Sequence, residues 1–190
     1  MKKMLLGLMI VMLAGCGRNE PQSDGMQAWR DRCAGEASAF SAQITADYID
    51  SRESFSMDCV YEPEGLLRFT VTQPPELAGI TGTVSGEQGT LRFEETVLAL
   101  PLLAEESLSP VSGPWVMMKA LGTGPLRCTA REEALLHISV DDSYREEALE
   151  VEAWLEGEQL RQAEISWKGR RNLLLQIENF KFVEKQPKAA

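Results

Sequence analysis

Histidine is almost missing from this sequence: 190 residues contain one, His137. Cysteine occurs at positions 16, 33, 59 and 128, and no two are spaced as Cys-x-x-Cys. These two scarcities leave no zinc-type ligand set, so no metal site is expected. Long hydrophobic runs are missing too: no stretch approaches the roughly 20 apolar residues that a helix needs to cross a bilayer. Basic side chains are outnumbered, 19 Lys and Arg against 29 Asp and Glu, giving a formal charge of −10. A chain of that sign is a poor electrostatic ligand for nucleic acid or for anionic lipid. The glycine-rich segment Gly79 to Gly89 lacks the Gly-Lys-Ser/Thr ending of a phosphate loop. No nucleophile is paired with a base, and adjacent carboxylates such as Asp141-Asp142 are too common to mark acid-base chemistry. The sequence therefore reads as non-enzymatic, with no catalytic residue and no cofactor.

What is present begins at the N-terminus. Lys2 and Lys3 precede an apolar run from Met4 to Leu13 broken only by Gly7, the layout of a secretory signal. Leu13-Ala14-Gly15-Cys16 follows at once and resembles the lipobox of bacterial lipoprotein precursors. The resemblance implies that residues 1–15 are removed and that the Cys16 thiol carries a diacylglyceryl group; the plainer alternative is an ordinary secretory signal containing a cysteine. Removal of two lysines and no acids leaves 17 basic and 29 acidic side chains, a net charge of −12. Residues 16–25 are small, polar or proline and read as a lipidated tether. Residues 26–190 are one domain by size. Cys33, Cys59 and Cys128 remain, an odd number that permits at most one internal disulfide; otherwise they are small buried apolar side chains.

Beyond the tether the dominant signal is strict alternation, the pattern of strands with one buried face. Phe40, Ala42, Ile44, Ala46 and Tyr48 share one parity, then Phe55 to Tyr61, then Leu67, Phe69 and Val71. Asp50-Ser51-Arg52 and Glu62-Pro63-Glu64-Gly65 are short enough for hairpins, which makes these neighbours antiparallel. Pro74-Pro75 ends the third strand. Weaker strands are expected around Ile80 to Val84 and Leu91 to Phe93. Further strands follow at Ala134 to Val140, Leu149 to Leu155 and Ala163 to Trp167, the last two joined by a turn at Glu156-Gly157-Glu158. In the final strand Leu173, Leu175 and Ile177 change parity to Phe180 and Phe182, which predicts a β-bulge near Glu178 or Asn179. Two helices are expected. One carries Met26, Trp29, Cys33 and Ala37 after a cap at Ser23 or Asp24. The other runs from Ser112 and Pro114 through Trp115, Met118 and Leu121 to a stop at Gly122.

About nine amphipathic antiparallel strands with one leading and one inserted helix resemble the LolA/LolB-like superfamily of envelope lipoproteins and carriers. Phe40-Ser41-Ala42-Gln43-Ile44, the Leu67 to Thr72 strand ending in proline before Leu77-Ala78-Gly79-Ile80, and Ile177 to Phe182 carry that resemblance. It implies an α+β fold, a strongly curved antiparallel half-barrel covering short helices. No arginine can be matched to the one by which the superfamily's periplasmic carrier holds its closed state, and no protruding leucine loop is present, so lipoprotein trafficking is not implied.

Two functions follow from the resemblance. The first is a membrane-anchored extracytoplasmic lipoprotein that binds lipid or acyl chains in its interior, lined by Phe40, Ile44, Phe69, Trp115 and Met118, residues equally explained as core. The second is a non-enzymatic envelope protein-interaction or sensor module on the same scaffold. For it the pairs Glu94-Glu95, Glu105-Glu106, Glu132-Glu133 and Glu146-Glu147 offer a surface to a basic protein, though such pairs are ordinarily solvated. Either body sits on the outer face of a cell membrane or, in a Gram-negative host, in the periplasm. His137 lies on the polar parity of its strand and is expected to face solvent.

Overall fold

A parity that is apolar along one strand after another must find one common surface to bury, and the chain meets this by pairing nearly every strand with its sequence neighbour. The computed structural model describes residues 22–48, 51–86, 88–101, 103–104, 107–132, 134–141 and 149–183. Helix α1 (Gln22–Gly35) leads into β1 (Ala37–Asp47), β2 (Arg52–Glu62), β3 (Leu66–Gln73), β4 (Thr81–Ser85), β5 (Gln88–Phe93) and β6 (Thr96–Pro101). A small hairpin of β7 (Leu103–Ala104) and β8 (Ser107–Leu108) precedes a 3-10 turn at Pro110–Ser112 and helix α2 (Gly113–Thr123). The chain then returns through β9 (Leu126–Glu132), β10 (Leu135–Asp141), β11 (Leu149–Glu156), β12 (Gln159–Trp167) and β13 (Arg170–Val183).

Eleven strands form one antiparallel sheet in the order β6-β5-β4-β3-β2-β1-β13-β12-β11-β10-β9. Two meanders are thus joined at the centre by β1 and β13. Helix α2 touches β2 and β3 of one meander and β11, β12 and β13 of the other, so the sheet curves around it. This is the expected fold class. The concave face buries Phe40, Ala42, Ile44 and Ala46 of β1, Met57 and Cys59 of β2, Leu67 and Phe69 of β3, and the matching parity of β10 to β13. Large side chains buried this way contribute about 1.5–3 kcal/mol each, which is why the alternating parity fixes the register.

The bulge is where the parity change placed it. The β1–β13 register shifts between Ala39 and Ser41, opposite Lys181 and Glu178, and Asn179 has φ of 55°. Phe180 is therefore turned inward, 5.9 Å from both Trp29 and Phe40, and Phe182 packs against Trp29 at 6.1 Å.

Several expectations are corrected. Helix α1 starts at Gln22, so Ser23 and Asp24 lie inside its first turn rather than capping it, and Ala37 opens β1 instead of closing the helix. Tyr48 lies just past the end of β1 and is exposed. Gly122 is not a stop; α2 runs to Thr123 and is closed by Gly124, whose amide donates to the Ala120 carbonyl at 2.7 Å. Ser112 precedes α2 but makes no side-chain capping bond. Strands β6 and β9 were not anticipated. All three described cysteines, Cys33, Cys59 and Cys128, are free thiols.

Candidate functional site

The concave interior is built by the same periodicities. Phe40 and Ile44 are two residues of one parity on the central strand β1, Phe69 lies on the same face of β3, and Trp115 and Met118 are one turn apart on α2. The structure brings all five into a single apolar cluster, each no more than 4% exposed. Little surface is left beside any of them for water, so the interior is closed around these positions. Met26, Met57 and Met117 belong to the same cluster. Unbranched thioether side chains fill irregular space and rearrange at low cost.

Helix α2 is unusual for its length. Trp115, Val116, Met117, Met118 and Leu121 are all buried, and only Lys119 and Thr123, one turn apart, are exposed. Two tryptophans pin the helices to hairpin turns. Trp115 Nε1 donates to the Gly65 carbonyl at 2.7 Å in the β2–β3 turn, and Trp29 Nε1 to the Glu158 carbonyl at 3.1 Å in the β11–β12 turn.

The two helices meet closely at Gly122, where a Cβ would lie 3.3 Å from the Ala34 amide nitrogen. Arg30 completes that contact. Buried on α1, it donates from Nε to the Leu121 carbonyl at 2.8 Å and from Nη2 to the Gly124 carbonyl. These carbonyls are among those a helix leaves unpaired at its C-terminus, where the helix dipole also favours a cation. Sequence reading passed over this residue. The signal was available: Met26, Trp29, Arg30 and Cys33 occupy i, i+3, i+4 and i+7, so one position of the buried stripe carries a guanidinium.

Elsewhere the thiols of Cys33 and Cys59 are pushed well above the ordinary range, chiefly by burial. His137 does not simply face solvent: its ring stacks on Trp154 with centroids 4.7 Å apart and 13° between planes. Cys16 and the tether up to residue 21 lie outside the described residues, as do Glu105, Glu106, Glu133, Glu146 and Glu147. Glu94 and Glu95 form the exposed β5–β6 turn.

No protein-family model matches the sequence, and a search of curated proteins gives no match. Among solved structures the chain is similar to an uncharacterised conserved protein of Thermus thermophilus, with 12% identity over 88% of this chain and 95% of that one and a TM-score of 0.48. It is also similar to a LolA superfamily protein of Nitrosomonas europaea, with 10% identity, 87% and 94% coverage and a TM-score of 0.45. A third likeness is to the Mycobacterium tuberculosis lipoprotein LppX, with 16% identity, 85% and 96% coverage and a TM-score of 0.40. These are loose likenesses of chain course at low identity, and none bears on ligand or activity.

Proposed function

We propose that the chain is an extracytoplasmic lipoprotein, anchored through a diacylglyceryl group on Cys16, whose half-barrel receives acyl chains of a lipid between sheet and helices. The observation that carries this reading is α2. A helix serving only to cover a sheet buries one stripe and leaves the rest in water. Here α2 is apolar on nearly all sides, enclosed by the sheet and α1 together, and Met57 of the sheet lies in the same buried cluster as Met117 and Met118 of the helix. Phe40, Ile44, Phe69, Trp115 and Met118 are the proposed lining. Because the resting interior is closed, entry requires α2 to part from α1, and the bonds of Arg30 set the resistance to that step. The same closure favours a second reading, a rigid scaffold that meets an envelope protein through its outer surface.

One experiment separates the two. Full-length protein is taken from membranes in mild non-ionic detergent and its intact mass is measured under native conditions. The acyl-chain reading expects a lipid adduct beyond the covalent anchor, lost in Met118→Trp, which fills the interior. An adduct-free protein that also fails to bind a fluorescent fatty acid supports the scaffold instead.

A further inference from the structure

A cavity on the outer face of the sheet reverses the charge balance of the chain. It is an open trough of about 730 Å³ across β13 and β1 to β5. Arg68, Arg92 and Lys181 line it, with Asp58 the one carboxylate among the described lining residues, although acids outnumber bases 29 to 19 in the chain. The Ser41 hydroxyl donates to Asp58 at 2.7 Å and occupies part of that carboxylate. Among the described residues no ion pair engages Arg92 or Lys181. Glu62 accepts from Nε of Arg68 at 2.9 Å, one of the five donors that a guanidinium carries.

Strand register sets the spacing of these groups. Arg68 on β3 lies opposite Thr83 on β4, and Arg92 on β5 lies opposite Thr81, so the two arginines flank β4 on a diagonal. Two strand spacings of about 4.8 Å and two residues of about 3.4 Å place their Cα atoms about 12 Å apart, a span that two long side chains can close over β4. The floor between them is hydroxyl. Thr81 and Thr83 stand on the parity opposite buried Val84, and Thr83 is hydrogen-bonded to Thr90 at 2.8 Å. A pair of hydroxyls shares one proton and keeps the other to donate. Beyond Arg68 the floor turns apolar: Val60 lies opposite both Arg68 and Ala39, and Ala39 opposite Lys181. Val60 is 42% exposed there.

Guanidinium groups hold phosphate oxygens in bidentate pairs, and neutral hydroxyls add further donors. A phosphate monoester presents three terminal oxygens, enough to meet two guanidiniums and a threonine hydroxyl together, where a carboxylate presents two. Its charge at pH 7 is about −1.5 to −2, close to the excess of cations over carboxylates along the trough. The acidic remainder of the chain repels an anionic polymer or bilayer, while cations gathered in one concavity attract a small anion. We propose that the trough binds a small phosphate monoester, its phosphate between Arg68 and Arg92 over Thr81 and Thr83 and its carbon skeleton on Val60 and Ala39. Lys181 adds charge at the far end. The trough and the acyl-chain interior occupy opposite faces of the sheet, so either reading can fail without the other.

The test is titration calorimetry on the full-length protein in non-ionic detergent and phosphate-free buffer. The probes are glycerol 3-phosphate, its lipid form dihexanoyl phosphatidic acid, and glycerate as the carboxylate of the same skeleton. Glycerol 3-phosphate is expected to bind, weakened roughly tenfold by Arg92→Ala or Arg68→Ala and roughly threefold by Thr83→Val. Arg92→Lys should recover only part, because an ammonium lacks the bidentate edge. Binding of the lipid form alone, lost in Arg92→Ala and kept in Met118→Trp, would support the same phosphate site and assign its source to a lipid headgroup. The proposal is overturned if neither phosphate binds, if glycerate binds as tightly, or if lipid binding is lost only in Met118→Trp. It is equally overturned if folded Arg68→Ala and Arg92→Ala proteins, verified by circular dichroism, bind as the parent does.

Discussion

Arg30 holds a position that a hydrophobic side chain of similar length would ordinarily occupy. Removing it leaves the Leu121 and Gly124 carbonyls without donors in a place water reaches poorly. Arg30→Ala is therefore expected to destabilise the fold by about 2 kcal/mol, read as a lower urea midpoint. Arg30→Lys should recover only part, because an ammonium cannot present the same two-pronged geometry. The cysteines give a second prediction at this scale. Burial holds the Cys33 and Cys59 thiols protonated, while Cys128 is exposed on β9. Since the thiolate is the nucleophile, iodoacetamide at mildly alkaline pH should label Cys128 in the native protein. Cys33 and Cys59 should react only after unfolding, and early labelling of either, mapped by peptide mass, would contradict the packing of α1 and β2.

Elements were legible in proportion to how one-sided their burial is. Strands β1, β3 and β11 to β13 each set an apolar parity against a polar one, and each was recognisable from that contrast alone. The two edges of the sheet were not. In β6, Val97 and Leu98 point to opposite faces and both are exposed, so no buried face imposes alternation on Thr-Val-Leu-Ala-Leu-Pro. In β9 a register shift opposite Ser139 and Val140 breaks the parity, and an edge strand needs little apolar character. The proposed interior was visible only as core, because lining and packing residues share one chemistry. At the C-terminal end of β1, Asp47 ties three central strands by accepting from Arg52 of β2 at 2.6 Å and from Arg171 of β13 at 3.3 Å. The Arg52 hydrogen bond above all, helped by the charges of Arg52 and Arg171, holds its carboxyl below the ordinary range against the opposing effect of desolvation. A depressed carboxyl stabilises above the unfolded value of about 3.9 and loses that contribution as pH falls through the folded value. Asp47→Asn should therefore be less stable than the parent at about pH 5, and the gap between their urea midpoints should close toward about pH 2. The effect is small, since water screens all three groups, and added salt should shrink it further.

For the whole molecule the decisive quantity is what holds it at a membrane. No described helix is long and apolar enough to span one. With 29 acidic against 19 basic residues, electrostatic attraction to anionic headgroups is disfavoured as well. In the proposed reading covalent lipid on Cys16 supplies the energy, at about 0.8 kcal/mol per buried methylene, and two acyl chains suffice for stable anchoring. Helix α1 begins at Gln22, so few residues separate Cys16 from the folded body. In that reading the half-barrel is confined to the layer next to the bilayer, within reach of its lipid. Expression of the full precursor in a bacterial host tests this directly. The parent protein should stay with membranes through high-salt and carbonate washes and enter the detergent phase on Triton X-114 partition. Cys16→Ala, which keeps the signal but removes the only thiol available for acylation there, should not gain the mass of a diacylglyceryl group. Equal masses after correction for the substitution, or salt-released parent protein, would remove the anchor and with it the reason to place membrane lipid near this chain.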